Sequence, residues 1–298
     1  MPQRMLLLIL MMGLVLVPSM ADTDPGAGED STPTSITWAP TFEAALAAAK
    51  RSGRPVLVDF GAEWCWFCKK MDREVLTHPT ILKLATRFEW ARVDTDERGD
   101  LASKYRVSGL PTYVFMDASG VAFFRSNGYL PPDPFGVRLR TALDIFQSQP
   151  RLAELKARRT EGIASPEELA ELAHLLRRAQ VFDLARVVAE EALEVLAEES
   201  AERSGVQLDL LVAGARTGDS DAATALKKWV ATHTDHDRRW EASYELGLAL
   251  ANAGDLDLAC RTLEEVADGA PETDWGIMAR YYAGLIEAEL NESRRGGG

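Results

Sequence analysis

Residues 55–68, PVLVDFGAEWCWFC, join an apolar strand to a pair of cysteines with almost no chain between them. The run VLVDF has no polar face, which is the pattern of a strand covered on both sides of a sheet. Gly61 to Trp64 make a short loop, and the polar and apolar spacing of CKKMDREVL then suits a helix that Cys65 opens. A doubly covered strand running directly into a helix restricts this half of the chain to layered α/β architectures.

The flanking segments agree. A helix is expected from about Thr41 to Arg51, with Phe42, Ala45, Leu46 and Ala49 on one face and Gly53 ending it. Further helices are expected over 79–88 and 101–107, and a strand over WARVD at 90–94. TYVFMD and VAFFRS, joined at Ala118-Ser119-Gly120, predict an antiparallel hairpin, and 133–146 a closing helix. The sum is a mixed sheet of about four strands with helices on both faces.

After Gln149 strand signals vanish, and alanine, leucine and glutamate dominate. In EASYELGLALANAGDLDLACRTLEEVADGAP, small or apolar residues at Leu246, Gly247, Leu250, Gly254, Ala259, Leu263 and Pro271 resemble the spacing of a tetratricopeptide repeat. A second match starts at Pro166, a weaker unit covers 206–229, and 275–290 suits a capping helix. The expected organisation is an α/β domain over 36–148, a linker over 149–165, an all-α repeat domain over 166–292 and a disordered tail over 293–298.

The first residues carry Arg4, roughly 13 apolar residues from Met5 to Val17, and small Ser19 and Ala21 before a possible cut. A membrane span needs about 20, so 1–21 is expected to be a cleaved signal peptide, 22–35 a flexible leader, and the protein periplasmic or otherwise exported. The net charge of -13 disfavours binding to nucleic acid. With only three cysteines in 298 residues, disulfides are not what holds this fold together.

Cys65 and Cys68 could hold a metal, staple a loop or carry electrons. Structural zinc usually takes four ligands in two separated pairs, and no second C-x-x-C exists; no metal or other cofactor is expected. An electron carrier needs a stabilised thiolate, which unpaired N–H groups at a helix N-terminus provide. Cys65 is placed there, as the exposed sulfur. Cys68, one turn inward, can resolve a mixed disulfide. Cys260 is expected to fill space in a repeat helix.

VLVDFGAEWCWFCKKM and VSGLPTYVFMDASG resemble the two signatures of the thioredoxin superfamily, over roughly residues 40–147. The SGRPVLVDF entry, CKKM and the following E-V-L-x-H-P resemble more narrowly the C-terminal periplasmic domain of the membrane thiol:disulfide interchange protein and its soluble relatives. The resemblance implies that Cys65 is the nucleophile and Cys68 the resolving thiol, with Asp59 a buried acid that exchanges a proton with Cys68. It places Pro111 as a cis-proline after Leu110, freeing backbone groups there to hold an extended partner chain. It also places Trp64 just before the dithiol. Trp66-Phe67 replaces the usual Gly-Pro, so what the family does with that dipeptide does not carry over. The aromatic pair is read as a hydrophobic docking surface.

The expected function is an exported thiol–disulfide oxidoreductase that reduces or isomerises disulfides of partner proteins. A membrane protein would donate electrons, and the helical half would recruit a partner. A reductase is favoured over an oxidase because no histidine separates the cysteines and carboxylates lie nearby. Two other classes stay open: a repeat scaffold with an incidental dithiol, and a redox-dependent chaperone.

Overall fold

The computed structural model describes residues 33–296. Helix α1 (Phe42–Ser52) is capped by the Thr41 hydroxyl, which accepts from the Ala44 N–H, and ends at Gly53 with φ 70°. Strand β1 (Val56–Gly61) is buried at every position and leads to α2 (Trp66–Glu74). Then come α3 (Pro79–Ala85), β2 (Glu89–Asp94), α4 (Gly99–Lys104), β3 (Thr112–Met116) and β4 (Ala122–Asn127).

The sheet order is β2-β1-β3-β4, with β1 parallel to β2 and antiparallel to β3, and β4 antiparallel to β3. Apolar clusters fill both faces of the sheet. Leu57, Trp90, Phe115 and Phe135 gather on one face; Val58, Ala91, Val114, Phe42 and Ala45 gather on the other. That is the expected α/β domain, and β1 is central and doubly covered, as its apolar run requires.

The expected linker over 149–165 is not there. Helix α5 runs unbroken over Pro132–Thr160, with Pro150 inside it. Proline lacks one donor and ordinarily stops a helix, yet the expected end at 146 is passed. Here the helix continues because Leu152 and Leu155 bury themselves against the helical half, while Arg151 and Arg159 bond Glu171 and Glu191. Only 161–165 separate α5 from α6 (Pro166–Arg178), whose start is a capping box of Ser165 and Glu168.

Six more helices follow: α7 (Phe182–Val195), α8 (Arg203–Thr217), α9 (Ala222–Thr232), α10 (Arg239–Asn252), α11 (Leu256–Gly269) and α12 (Asp274–Gly296). They fall where the two matches, the weaker unit and the capping helix were expected. The tail expected to be disordered over 293–298 is helical to 296, with Arg294 reaching Asp257 of α11. The expected signal peptide over 1–21 lies outside the described residues, as does most of the leader. No helix among the described residues is long and apolar enough to cross a membrane.

Small residues set the helix spacing. A Cβ on Gly247 would stand 2.6 Å from Leu263 Cγ, so the Leu263 side chain of α11 lies directly on the α10 backbone. Gly247→Ala should destabilise the protein by about 1–3 kcal/mol through overpacking. Gly284→Ala on the open face of α12 meets nothing within 4 Å and should be neutral or stabilising by up to about 1 kcal/mol. Urea denaturation of the two variants checks this contrast.

Candidate functional site: a disulfide at a helix N-terminus

Cys65 is the N-cap of α2, and its Sγ accepts the Cys68 N–H at 3.1 Å. The two sulfurs form a disulfide with Cα atoms 5.3 Å apart. When it is reduced, the N–H groups of the first turn of α2 favour the Cys65 thiolate. A Cβ on Gly61 would lie 3.4 Å from Cys68 Sγ, so glycine at the end of β1 leaves room for that sulfur.

One expectation is reversed. Cys65 was placed as the exposed sulfur, yet it is 4% exposed, while Cys68 is half-buried. The bond to Cys68 Sγ and the contact with the first turn of α2 fill the space around it. Cys65 nevertheless belongs to none of the four apolar clusters. Its neighbours Trp64, Trp66 and Phe67 are 70%, 59% and 50% exposed, which makes an aromatic collar on the surface around the disulfide. Trp64 is held by its Nε1–H donating to Asp96 Oδ2 at 2.9 Å, and Trp66 packs edge-on against Phe67.

Asp59 is buried on β1. Arg92, its register partner on β2, donates to Asp59 Oδ2 from Nε at 3.1 Å and Nη2 at 2.9 Å, and also bonds Asp72. The Trp38 ring lies 4.3 Å from the guanidinium carbon. Asp59 Oδ1 has no partner among the described residues. Burial pushes the carboxyl up to about 6 from its ordinary 3.8, with Arg92 pulling the other way. Across the sheet, Tyr113 faces Asp59 from β3, and its hydroxyl is likewise buried and unpartnered.

The Leu110–Pro111 peptide is cis. Pro111 C=O accepts from Gly128, whereas Leu110 has no backbone hydrogen bond among the described residues. Cys260 is buried on α11 and in no disulfide, its Sγ donating to Glu264 Oε1 at 3.5 Å, and burial pushes its thiol up.

Three residues near the disulfide were not foreseen. Arg92 is the important one, and its signal was a charge inside the strand EWARVD. Lys70 and Tyr129 are the others: the Lys70 ammonium sits 4.1 Å over the Tyr129 ring, whose hydroxyl donates to Glu74 at 3.1 Å. Tyr129 also faces Phe67 at 6.3 Å, and its carbonyl accepts from Tyr281 of α12 at 3.5 Å, so the helical half reaches to within one side chain of the C-x-x-C segment.

Arg92→Met removes the cation that favours ionised Asp59. The loss is present above a pH of about 6, where Asp59 is charged, and shrinks below it as the carboxyl takes a proton. Because the Arg92 side chain is 45% exposed, the cost at pH 8 should be modest, about 1–3 kcal/mol. Denaturation at pH 8 and pH 5 should show the gap closing at the lower pH.

The thioredoxin-like family model matches residues 37–118, which include β1, the disulfide, Asp59 and Pro111. Residues 37–118 belong to the thioredoxin superfamily. This thioredoxin-like domain carries the Cys65–Cys68 disulfide at the start of α2. The chain is 37% identical over 102 residues to thiol:disulfide interchange protein DsbD 1 of Pseudomonas aeruginosa, covering 32% of this chain and 17% of that one. It is 29% identical over 105 residues to chloroplastic thioredoxin Y of Oryza sativa, covering 35% of this chain and 61% of that one. A solved thioredoxin from Thermus thermophilus is 35% identical, with a TM-score of 0.36, over 38% of this chain and 92% of that one. The chain thus spans under a fifth of the interchange protein's length, and these matches cover less than half of the chain itself.

Proposed function

We propose that the protein is an exported thiol–disulfide oxidoreductase that reduces or isomerises disulfides of partner proteins. In this reading a membrane protein supplies its electrons, and tetratricopeptide-like repeats recruit a partner. The observation that carries it is the Cys65–Cys68 disulfide at the start of α2 inside a thioredoxin-like domain.

In the reducing direction the Cys65 thiolate attacks one sulfur of a partner disulfide. A Cys65–partner bond forms, and the partner's second sulfur leaves as a thiolate and takes a proton. Asp59, ionised at pH 7 when its carboxyl titrates near 6, accepts the Cys68 proton. The Cys68 thiolate then attacks Cys65 Sγ, closing the 65–68 bond and releasing the first partner sulfur. Two electrons pass to the partner, and a donor dithiol restores the start. The aromatic collar and the unpaired Leu110 backbone support an extended partner chain beside the sulfurs. No histidine stands between Cys65 and Cys68 to stabilise the thiolate further, which favours reduction over oxidation.

Export rests on the short apolar run Met5–Val17, and recruitment on the paired helices after α5. A Cys68→Ser variant should accumulate covalent adducts with exported proteins through Cys65, released by a reductant. Non-reducing gels of trapped cell fractions test this, and a variant that forms no adduct in any fraction contradicts it.

A further inference from the structure

A cavity of about 500 Å³ opens where α5 meets α6, α7, α8, α10 and α12. Its charges cancel in groups. Arg177 and Arg238 share Asp209 and Glu241. Arg216 bonds Glu245 at 2.7 Å, Arg178 bonds Asp144 at 2.9 Å, and Arg140 neutralises Asp274. Arg138 is left over. Among the described residues it has no carboxylate partner, and its guanidinium donates only to Tyr282 Oη at 3.3 Å.

One wall beside this cation is aromatic. Trp275 and Tyr282 lie 5.4 and 6.4 Å from the Tyr244 ring, and Val137 and Met278 complete an apolar wall. Tyr244 is buried, yet its hydroxyl makes no hydrogen bond among the described residues. Four other guanidiniums and four carboxylates line the same cavity, all of them ion-paired; Arg138 and the two phenolic O–H groups are the donors left beside its aromatic wall. Unused donors beside an apolar wall are the usual makings of a small specific site, and a fork of N–H groups suits a carboxylate.

We propose that this cavity binds a carboxylate borne on an aromatic or branched apolar group, the chemistry of a polypeptide's free C-terminus at Phe, Tyr or Leu. It rests on the proposal that the helical half recruits a partner, and it names what is held. Tyr281, beside Tyr282 on α12, bonds the Tyr129 carbonyl next to Phe67, so a chain anchored here lies on the same junction as the disulfide.

Calorimetric titration of the full chain tests it with four probes: N-acetylphenylalanine, its amide, the tripeptide Gly-Gly-Phe and that peptide's amide. Both acids should bind saturably and both amides at least about tenfold more weakly. Arg138→Gln should lose about tenfold or more in affinity for the acids, and Tyr244→Phe should lose less. Circular dichroism and unchanged thermal midpoints establish that both variants fold. A tripeptide acid that binds more tightly than the single residue identifies a polypeptide end, and equal binding identifies a small aromatic acid. Absence of binding by either acid, equal binding of acids and amides, or full affinity in folded Arg138→Gln overturns the site. If Arg138→Gln still traps adducts when combined with Cys68→Ser, the oxidoreductase reading survives that failure.

Discussion

Cys65→Ser should lower the reduction of a disulfide-bonded test protein to the uncatalysed background while leaving the fold intact. Serine cannot attack a disulfide, and no other described thiol is placed to replace it, because Cys260 is buried on α11 and burial pushes its thiol up. The structural cost is small: opening a loop closed over so few residues sacrifices at most about 2 kcal/mol. Activity and stability therefore separate. Cys68→Ser should differ in kind, losing turnover but retaining a single attack that ends in a stable adduct. Turnover assays with non-reducing electrophoresis distinguish the two variants, and residual turnover in Cys65→Ser would remove the nucleophile from the scheme.

Asp59→Asn should make the protein more stable at neutral pH and slower. The folded carboxyl titrates near 6 against an ordinary 3.8, so the native state binds the proton more tightly than the unfolded chain. Stability from this group is complete below pH 3.8 and is lost as pH rises through 6. The difference of about two units corresponds to about 3 kcal/mol as an upper bound. Asparagine cannot ionise, so the slope between pH 4 and 7 should flatten and the variant should gain up to that amount at pH 7. Release of the mixed disulfide should slow by about 100-fold at pH 7, because Cys68 loses its base. Denaturation across this pH range and stopped-flow release of a trapped adduct give the two readouts. A slower variant with an unchanged pH slope would separate Asp59's kinetic role from its burial.

Much of this architecture was legible because the signals were local. Val56, Leu57, Val58 and Phe60, with a single acid among them, need cover on both faces of a sheet, and β1 has it. Cysteine at the start of the amphipathic run that follows becomes an N-cap. Glycine in an apolar helical pattern marks close approach, and Gly247 meets Leu263. What stayed hidden depended on distant partners. Pro150 carries a stop signal, overridden by the burial of Leu152 and Leu155. Arg92 reaches Asp59 only through strand register, and the burial of Cys65 follows from the closed disulfide. The Arg138 cavity is assembled from six helices, and none of them reveals it alone.

A redox titration of the whole protein tests the central claim most directly. Samples equilibrated across glutathione buffers are quenched with a thiol-reactive mass tag, and the 65–68 peptide is scored as dithiol or disulfide. A reversible two-electron transition confined to Cys65 and Cys68 is expected, with a midpoint nearer about -270 mV than about -120 mV. A pair that stays closed at every buffer ratio, or a transition carried by Cys260, would contradict it.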